Sequence, residues 1–176
     1  ALRHLEAASL VRPEHGRGRR IIVPGNHQAE PLRAVAVIMP FVTASTMLQI
    51  MRGCGSVLQE EGFDVVRIDT TSDTSAGMRK RERAAIHSLL RKPMLGAIWW
   101  PSHPNEQTDL TEAIKEARVP VVTVDRTLPG LPFDHVGVDN VRAAYGAVEH
   151  LITEGHVRIG HLTQEAPAST VAERRT

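Results

Sequence analysis

A chain of 176 residues with 41% apolar side chains and a net charge of +1 is long enough for a sizeable core, and its overall charge selects no partner. Its one cysteine, Cys54, excludes an intrachain disulfide framework and fits a reducing compartment. No apolar run of about eighteen residues and no secretory leader pattern occurs, so the chain is expected to be cytoplasmic and without a membrane partner.

The charge is unevenly placed. Arg3, Arg12, Arg17, Arg19 and Arg20 are set against only Glu6 and Glu14 at the start of the chain, a locally basic end that suits a polyanion. ALRHLEAA, with Leu2 and Leu5 around basic Arg3 and His4, has the pattern of the last turns of an amphipathic helix. Leu10 and Val11 precede a break at Pro13, EHGRGRR supplies a basic turn, and IIVP is a β-branched run. In the turn formed by His15, Gly16, Arg17, Gly18 and Arg19, the glycines permit a hairpin tip and a close approach to a phosphate backbone. The arginines, Arg12 included, would neutralise phosphates or enter a minor groove. The polar PGNHQAEPLR stretch reads as a linker. Three segments result: a DNA-binding part over 1–24, a linker over 25–33 and a second domain over 34–176.

From Ala34 the pattern alternates between strand and helix. Ala34 to Met39 is a continuous apolar run closed by Pro40. A helix is expected from Thr46 to about Glu61, with Met47, Ile50, Met51, Cys54, Val57 and Leu58 on its buried face and Gly62 ending it. Cys54 lies in that stripe and reads as a small hydrophobe. Phe63 to Ile68 is the next strand. Ser75 is placed to cap a helix that runs to about Arg91, with Met78, Ala85, Ile86, Leu89 and Leu90 inward. Arg79, Lys80, Arg81, Glu82 and Arg83 form its solvated face. Leu95 to Trp100 is a strand, Thr108 to Ala117 a helix, and Pro120 to Val124 a strand ending at Asp125 and Arg126. After the Leu128 to Pro132 loop come a short strand from His135 to Val138 and a helix from Asn140 closed by Gly155. Arg158 to Leu162 is expected as a last strand, and Thr170 to Thr176 as the beginning of a helix. The chain starts and stops inside helical patterns, which reads as cut at both ends. Strict alternation of this kind predicts right-handed βαβ units and a parallel sheet, with binding groups gathered at the strands' carboxyl ends.

No catalytic or metal pattern is present: the histidines lack zinc spacing, and there is no nucleophile elbow, P-loop or dinucleotide fingerprint after a strand. The chain is therefore expected not to be an enzyme and to need no cofactor. Trp99 and Trp100 point to opposite faces of their strand, so only one can face a cleft, and Trp100 is assigned to it. Asp125 and Arg126 either meet a ligand or pair with each other or with a helix end. Asp139 and Asn140 read as a helix cap.

Two resemblances can be stated. ALRHLEAASLVRPEHGRGRRIIV resembles the end of the recognition helix and the wing of GntR-type winged-helix regulators, with Ser9 and Arg19 departing from the common pattern. AVAVIMP, QEEGFDVV, LGAIWWPS, VPVVTVDRTLPG, VGVDN and AVEHLITEGHVRIGHL, in that order, resemble the effector-binding domain of LacI/GalR-type regulators, relatives of periplasmic sugar-binding proteins. The second resemblance implies a doubly wound α/β sheet of periplasmic-binding-protein-like type I, mostly its first lobe with the start of the second. It implies a sugar effector clamped between lobes, operator DNA as partner, repressor activity, and a homodimer formed through the effector domain. By position it assigns ligand contact to Phe41, Thr43, Thr46, Met47, Trp100, Ser102, Asp125, Arg126 and Arg174. The alternative is a periplasmic-type sugar-binding protein without DNA binding.

Overall fold

The computed structural model describes residues 11–14, 18–21, 33–40, 45–92, 94–103, 108–128, 133–163 and 168–175. The chain divides into two compact units, Ala1–Pro31 and Leu32–Thr176. In the first, strand β1 (Val11–Glu14) pairs antiparallel with β2 (Gly18–Ile21), with Val11 opposite Ile21 and Arg12 opposite Arg20. Pro13 does not break the strand as expected but sits inside it, opposite Arg19. Both strands of a two-stranded ribbon are edges, and an edge tolerates a residue without an N–H. Gly18 and Arg19 accordingly belong to a strand and not to the turn.

The second unit is a five-stranded, all-parallel sheet. Its strands are β3 (Ala34–Met39), β4 (Asp64–Asp69), β5 (Gly96–Trp99), β6 (Val121–Val124) and β7 (Asp134–Val136), in the order β4-β3-β5-β6-β7. The β-branched residues of β3, β4 and β6 suit strands covered on both faces. Helix α1 (Ser45–Glu60) packs on one face, where Val37 and Met39 meet Met51, with Met47, Ile50 and Leu58 at the margin. Helices α2 (Ser75–Arg91) and α3 (Thr108–Glu116) cover the other. There Ala36, Ile38, Ala97 and Trp99 meet Ala85, Ile86 and Leu89 of α2 and Leu110 and Ile114 of α3. Successive side chains of β3 and β5 thus serve opposite layers, as the two-residue strand period requires.

Local signals set the element ends. Gly62, at φ +74, lets Phe63 N–H reach back to the Leu58 carbonyl and close α1. Helix α2 is capped by Thr74, whose hydroxyl accepts from Gly77 N–H; Ser75, expected as the cap, is the first helical residue. Gly96 stands where β5 passes β6: a Cβ there would lie 2.8 Å from the Pro120 carbonyl oxygen, which accepts from Ala97 N–H. Gly96→Ala is therefore expected to lower stability by roughly 1–3 kcal/mol, the usual cost of overpacking, as a shift of the urea midpoint with an unchanged slope.

Between the covering helices, Arg83 makes a two-pronged bond to Asp109 (3.0 and 2.6 Å). That hydrogen bond holds the Asp109 carboxyl below its ordinary range. Burial pushes the Cys54 thiol up, away from the reactive thiolate.

Two further expectations are corrected. Val57 does not join the buried stripe of α1 but is 60% exposed. Residues 158–162 form no strand: 156–163 are irregular and exposed, because a strand exists only with a hydrogen-bonded neighbour and none of the sheet's strands pairs with this segment. Before it, helix α4 (Asn140–Thr153) is capped by Asp139, whose carboxylate accepts from Arg142 N–H. A short helix, α5 (Ser169–Glu173), follows. Tyr145, Val148, Leu151 and Ile152 of α4 are exposed. No helix among the described residues is long and apolar enough to cross a membrane.

Candidate functional site

At the carboxyl ends of β5 and β6, four of the residues expected at a site come together. The residue after β5, Trp100, donates its indole N–H to Asp125 Oδ2 at 2.9 Å. The Arg126 guanidinium lies over the Trp100 ring, 4.8 Å from its centroid, and Nη1 donates to the Ser102 carbonyl at 2.9 Å. Arg126 Nε is 3.6 Å from Asp125 Oδ2, an ion pair longer than a hydrogen bond. Asp125 and Arg126 thus do pair with each other, through Trp100 as much as directly. The ring face beneath Arg126 is occupied by the guanidinium, so a stacked ligand would need that group to move or the other face.

The backbone here is unusual. Asp125 sits at φ +68, and the Arg126 N–H donates to the Val124 carbonyl two residues back, a γ-turn centred on Asp125. Asparagine and aspartate tolerate this region best among non-glycine residues, and such strain concentrates at functional sites. The turn swings both side chains out of the strand at the sheet edge. Asp125→Ala is expected to be about 1 kcal/mol less stable than Asp125→Gly, because glycine alone accepts this φ without cost; thermal unfolding of the pair reads the difference.

Hydrogen-bonding capacity at the cluster is not exhausted. Ser102 Oγ and Arg126 Nε are buried and have no hydrogen-bond partner among the described residues, although Arg126 as a whole keeps a quarter of its side chain exposed. Two further hydroxyls at the end of β4, on Thr70 and Thr71, are in the same condition. Buried polar groups are nearly always bonded, and these atoms lie at the carboxyl ends of β4, β5 and β6, the side on which open α/β sheets take their ligands. A guanidinium and a carboxylate held at an indole are donor and acceptor groups of the kind that polyhydroxylated rings use.

The remaining expected residues divide. Met47 packs against the same α1-side cluster of Val37 and Met39 that Trp100 borders, which makes it core beneath the site. Thr46, in the first turn of α1, is exposed. Arg174 is not part of the Trp100 cluster: its Nε donates to Asn140 Oδ1 at 2.8 Å, while Asn140 Nδ2 donates to Glu173 and to the Val138 carbonyl. Asn140, expected to cap, is instead the 3% exposed tie between α4 and α5. Phe41 and Thr43 lie outside the described residues, as do Arg3, His4, His15, Gly16 and Arg17 at the N-terminal end. Arg12, Gly18 and Arg19 are placed in the β1–β2 ribbon.

One participant is unexpected. Glu82, assigned above to a solvated face of α2, is 0% exposed and accepts from Trp99 Nε1 at 2.7 Å and from Ser102 N–H at 2.9 Å. Its position was legible: Met78, Glu82, Ala85, Ile86 and Leu89 follow the three-and-four spacing of the inward stripe, which the surrounding arginines obscure.

An open parallel sheet covered by helices on both faces, with polar groups at the carboxyl ends of its strands, is a doubly wound α/β fold. Within that class, the chain belongs to the family of periplasmic binding proteins and sugar-binding domains of the LacI family, whose model matches residues 33–176. It is 21% identical over 162 residues to an arabinose metabolism transcriptional repressor from Geobacillus stearothermophilus, covering 90% of this chain and 43% of that one. Among solved structures it is similar to the transcription regulator CcpA of Lactococcus lactis, with a TM-score of 0.69, 22% identity, and coverage of 81% of this chain and 50% of that one. It is also similar to the periplasmic binding protein component of the arabinose ABC transporter from Shewanella sp. ANA-3 (TM-score 0.67, 17% identity, 81% and 47% coverage). The chain thus spans about half the length of the proteins it matches.

Proposed function

We propose that this chain is part of a DNA-binding transcriptional repressor whose operator affinity is set by a small sugar held at the Trp100–Asp125–Arg126 cluster. The observation that carries this reading is the cluster itself, a carboxylate and a guanidinium held by an indole, with unmet polar atoms beside it, at the carboxyl edge of a sheet of this family. The finer parts of the reading are that residues 1–24 are the end of a GntR-type winged helix, 25–33 a linker and 34–176 the effector domain. The β1–β2 ribbon suits a wing, and its backbone register pairs Arg12 with Arg20.

The effector acts by linkage. A sugar that favours one arrangement of two lobes shifts the geometry of a homodimer, and so the spacing of its DNA-reading heads; the operator must shift sugar affinity by the same factor. In this reading Tyr145, Val148 and Ile152 of α4 face a second lobe. Arg174, tied to Asn140, then reaches the effector from that side. The test is fluorescence-detected operator binding by the full-length protein, titrated with L-arabinose, D-ribose and D-galactose. A sugar-dependent change in operator affinity supports the reading, and an affinity indifferent to every sugar sinks it. Retention on operator DNA that survives deletion of residues 1–24 would remove the winged-helix part.

A further inference from the structure

Glu82 is a fully buried carboxylate on the apolar side of α2, flanked along its stripe by Ala85, Ile86 and Leu89. Placing a carboxylate there is costly unless it is hydrogen-bonded, and an apolar side chain would fill the layer at no such cost. Both of its identified donors lie at the exit of β5. The Trp99 indole N–H and the Ser102 backbone N–H converge on one oxygen, Oε1. These donors belong to residues on either side of Trp100 and Pro101, so a single oxygen ties together the two ends of the segment that presents Trp100. The next peptide along, through the Ser102 carbonyl, is the one that accepts from Arg126 Nη1.

We infer that Glu82 is a positioning residue for the effector cluster: it touches no ligand, but it sets the 99–102 turn so that Trp100 meets Asp125 and the Ser102 carbonyl meets Arg126. The inference rests on the sensor reading for its functional meaning, while the geometric coupling from Glu82 to Trp100 can be measured without any ligand. The coupling runs through two discrete links, from Glu82 to the Ser102 amide and from the Ser102 carbonyl to Arg126, which lies over Trp100.

The experiment uses the full chain labelled with 5-fluorotryptophan. Its two tryptophans give two fluorine resonances, assigned with Trp99→Phe and Trp100→Phe. Glu82→Gln keeps an oxygen for both donors and is expected to leave the Trp100 resonance in place. Glu82→Met keeps length and volume without the acceptor and is expected to shift or broaden that resonance. A folded Glu82→Met protein with an unmoved Trp100 signal overturns the inference and leaves Glu82 a purely structural residue. Should Glu82→Met not fold, amide exchange of the unaltered protein decides: Ser102 N–H is expected to be protected, and exchange at the rate of an unstructured peptide overturns the inference. In isothermal titrations with L-arabinose, D-ribose and D-galactose, Glu82→Met should bind about ten-fold more weakly, and Glu82→Gln within about two-fold of the parent, for each sugar the parent binds. A parent protein that binds none of the sugars sinks the sensor reading alone, because the Trp100 resonance still decides whether Glu82 controls the cluster.

Discussion

Trp99→Ala is expected to lower the unfolding free energy by about 3–5 kcal/mol, the largest stability loss of any single change considered for this chain. Trp99 is 0% exposed and is the largest of the fully buried side chains. It belongs to the cluster in which β3, β5 and β6 meet α2 and α3, so its removal opens a cavity against both helices at once. The loss is also electrostatic. The indole N–H is one of the donors to Glu82, and a buried carboxylate deprived of a donor adds its own desolvation penalty. Trp99→Phe separates the two contributions, since it fills most of the cavity while still removing the donor. Urea unfolding followed by far-ultraviolet circular dichroism measures both variants. Trp99→Ala should fall well below Trp99→Phe, and the parent should lie above both. Equal midpoints for Trp99→Phe and the parent would mean that the Glu82 bond contributes nothing to stability.

Its neighbour should behave oppositely. Trp100 is half-buried, borders the α1 layer and bonds Asp125. Strand alternation sets the two tryptophans on opposite faces, and the structure buries Trp99 in the layer under α2 and α3 and sets Trp100 against the α1 layer. The alternation of elements was legible for the same kind of reason, because apolar runs, helical stripes and glycine stops are local signals. The wrong placements have non-local causes. The 158–162 segment has the composition of a strand, but a strand is made by its neighbour. Pro13 breaks a central strand and is harmless in a ribbon. Glu82 was hidden because charge type outweighed position: five consecutive charged residues, from Arg79 to Arg83, look like a solvated face, and only the spacing from Met78 to Leu89 shows that the fourth turns inward. In the site, Asp125 and Arg126 were identifiable as the polar stop of an apolar strand. The γ-turn that aims them, and the guanidinium lying over the indole, depend on φ angles and packing that residue types do not encode.

On the proposed sensor reading, Arg126→Ala is expected to weaken sugar binding by about ten- to hundred-fold, equivalent to the roughly 1.5–3 kcal/mol carried by hydrogen bonds from a charged donor. The guanidinium is held on three sides, by the Ser102 carbonyl at Nη1, the Asp125 carboxylate at Nε and the Trp100 ring, which leaves Nη2 and the outer face for a ligand. A pre-set donor loses little freedom on binding, so its removal falls almost wholly on affinity. The fold should change little, because Arg126 lies at the end of β6 and outside both apolar clusters. Arg126→Lys should not rescue. An ammonium has no planar fork to lie over Trp100 while reaching Ser102 and a hydroxyl pair together. Isothermal titration with the sugar that alters operator affinity is the measurement, with thermal unfolding alongside. Wild-type affinity in Arg126→Ala would place the effector elsewhere, whereas an equal loss of affinity and folding would make Arg126 a structural clamp and not a ligand group.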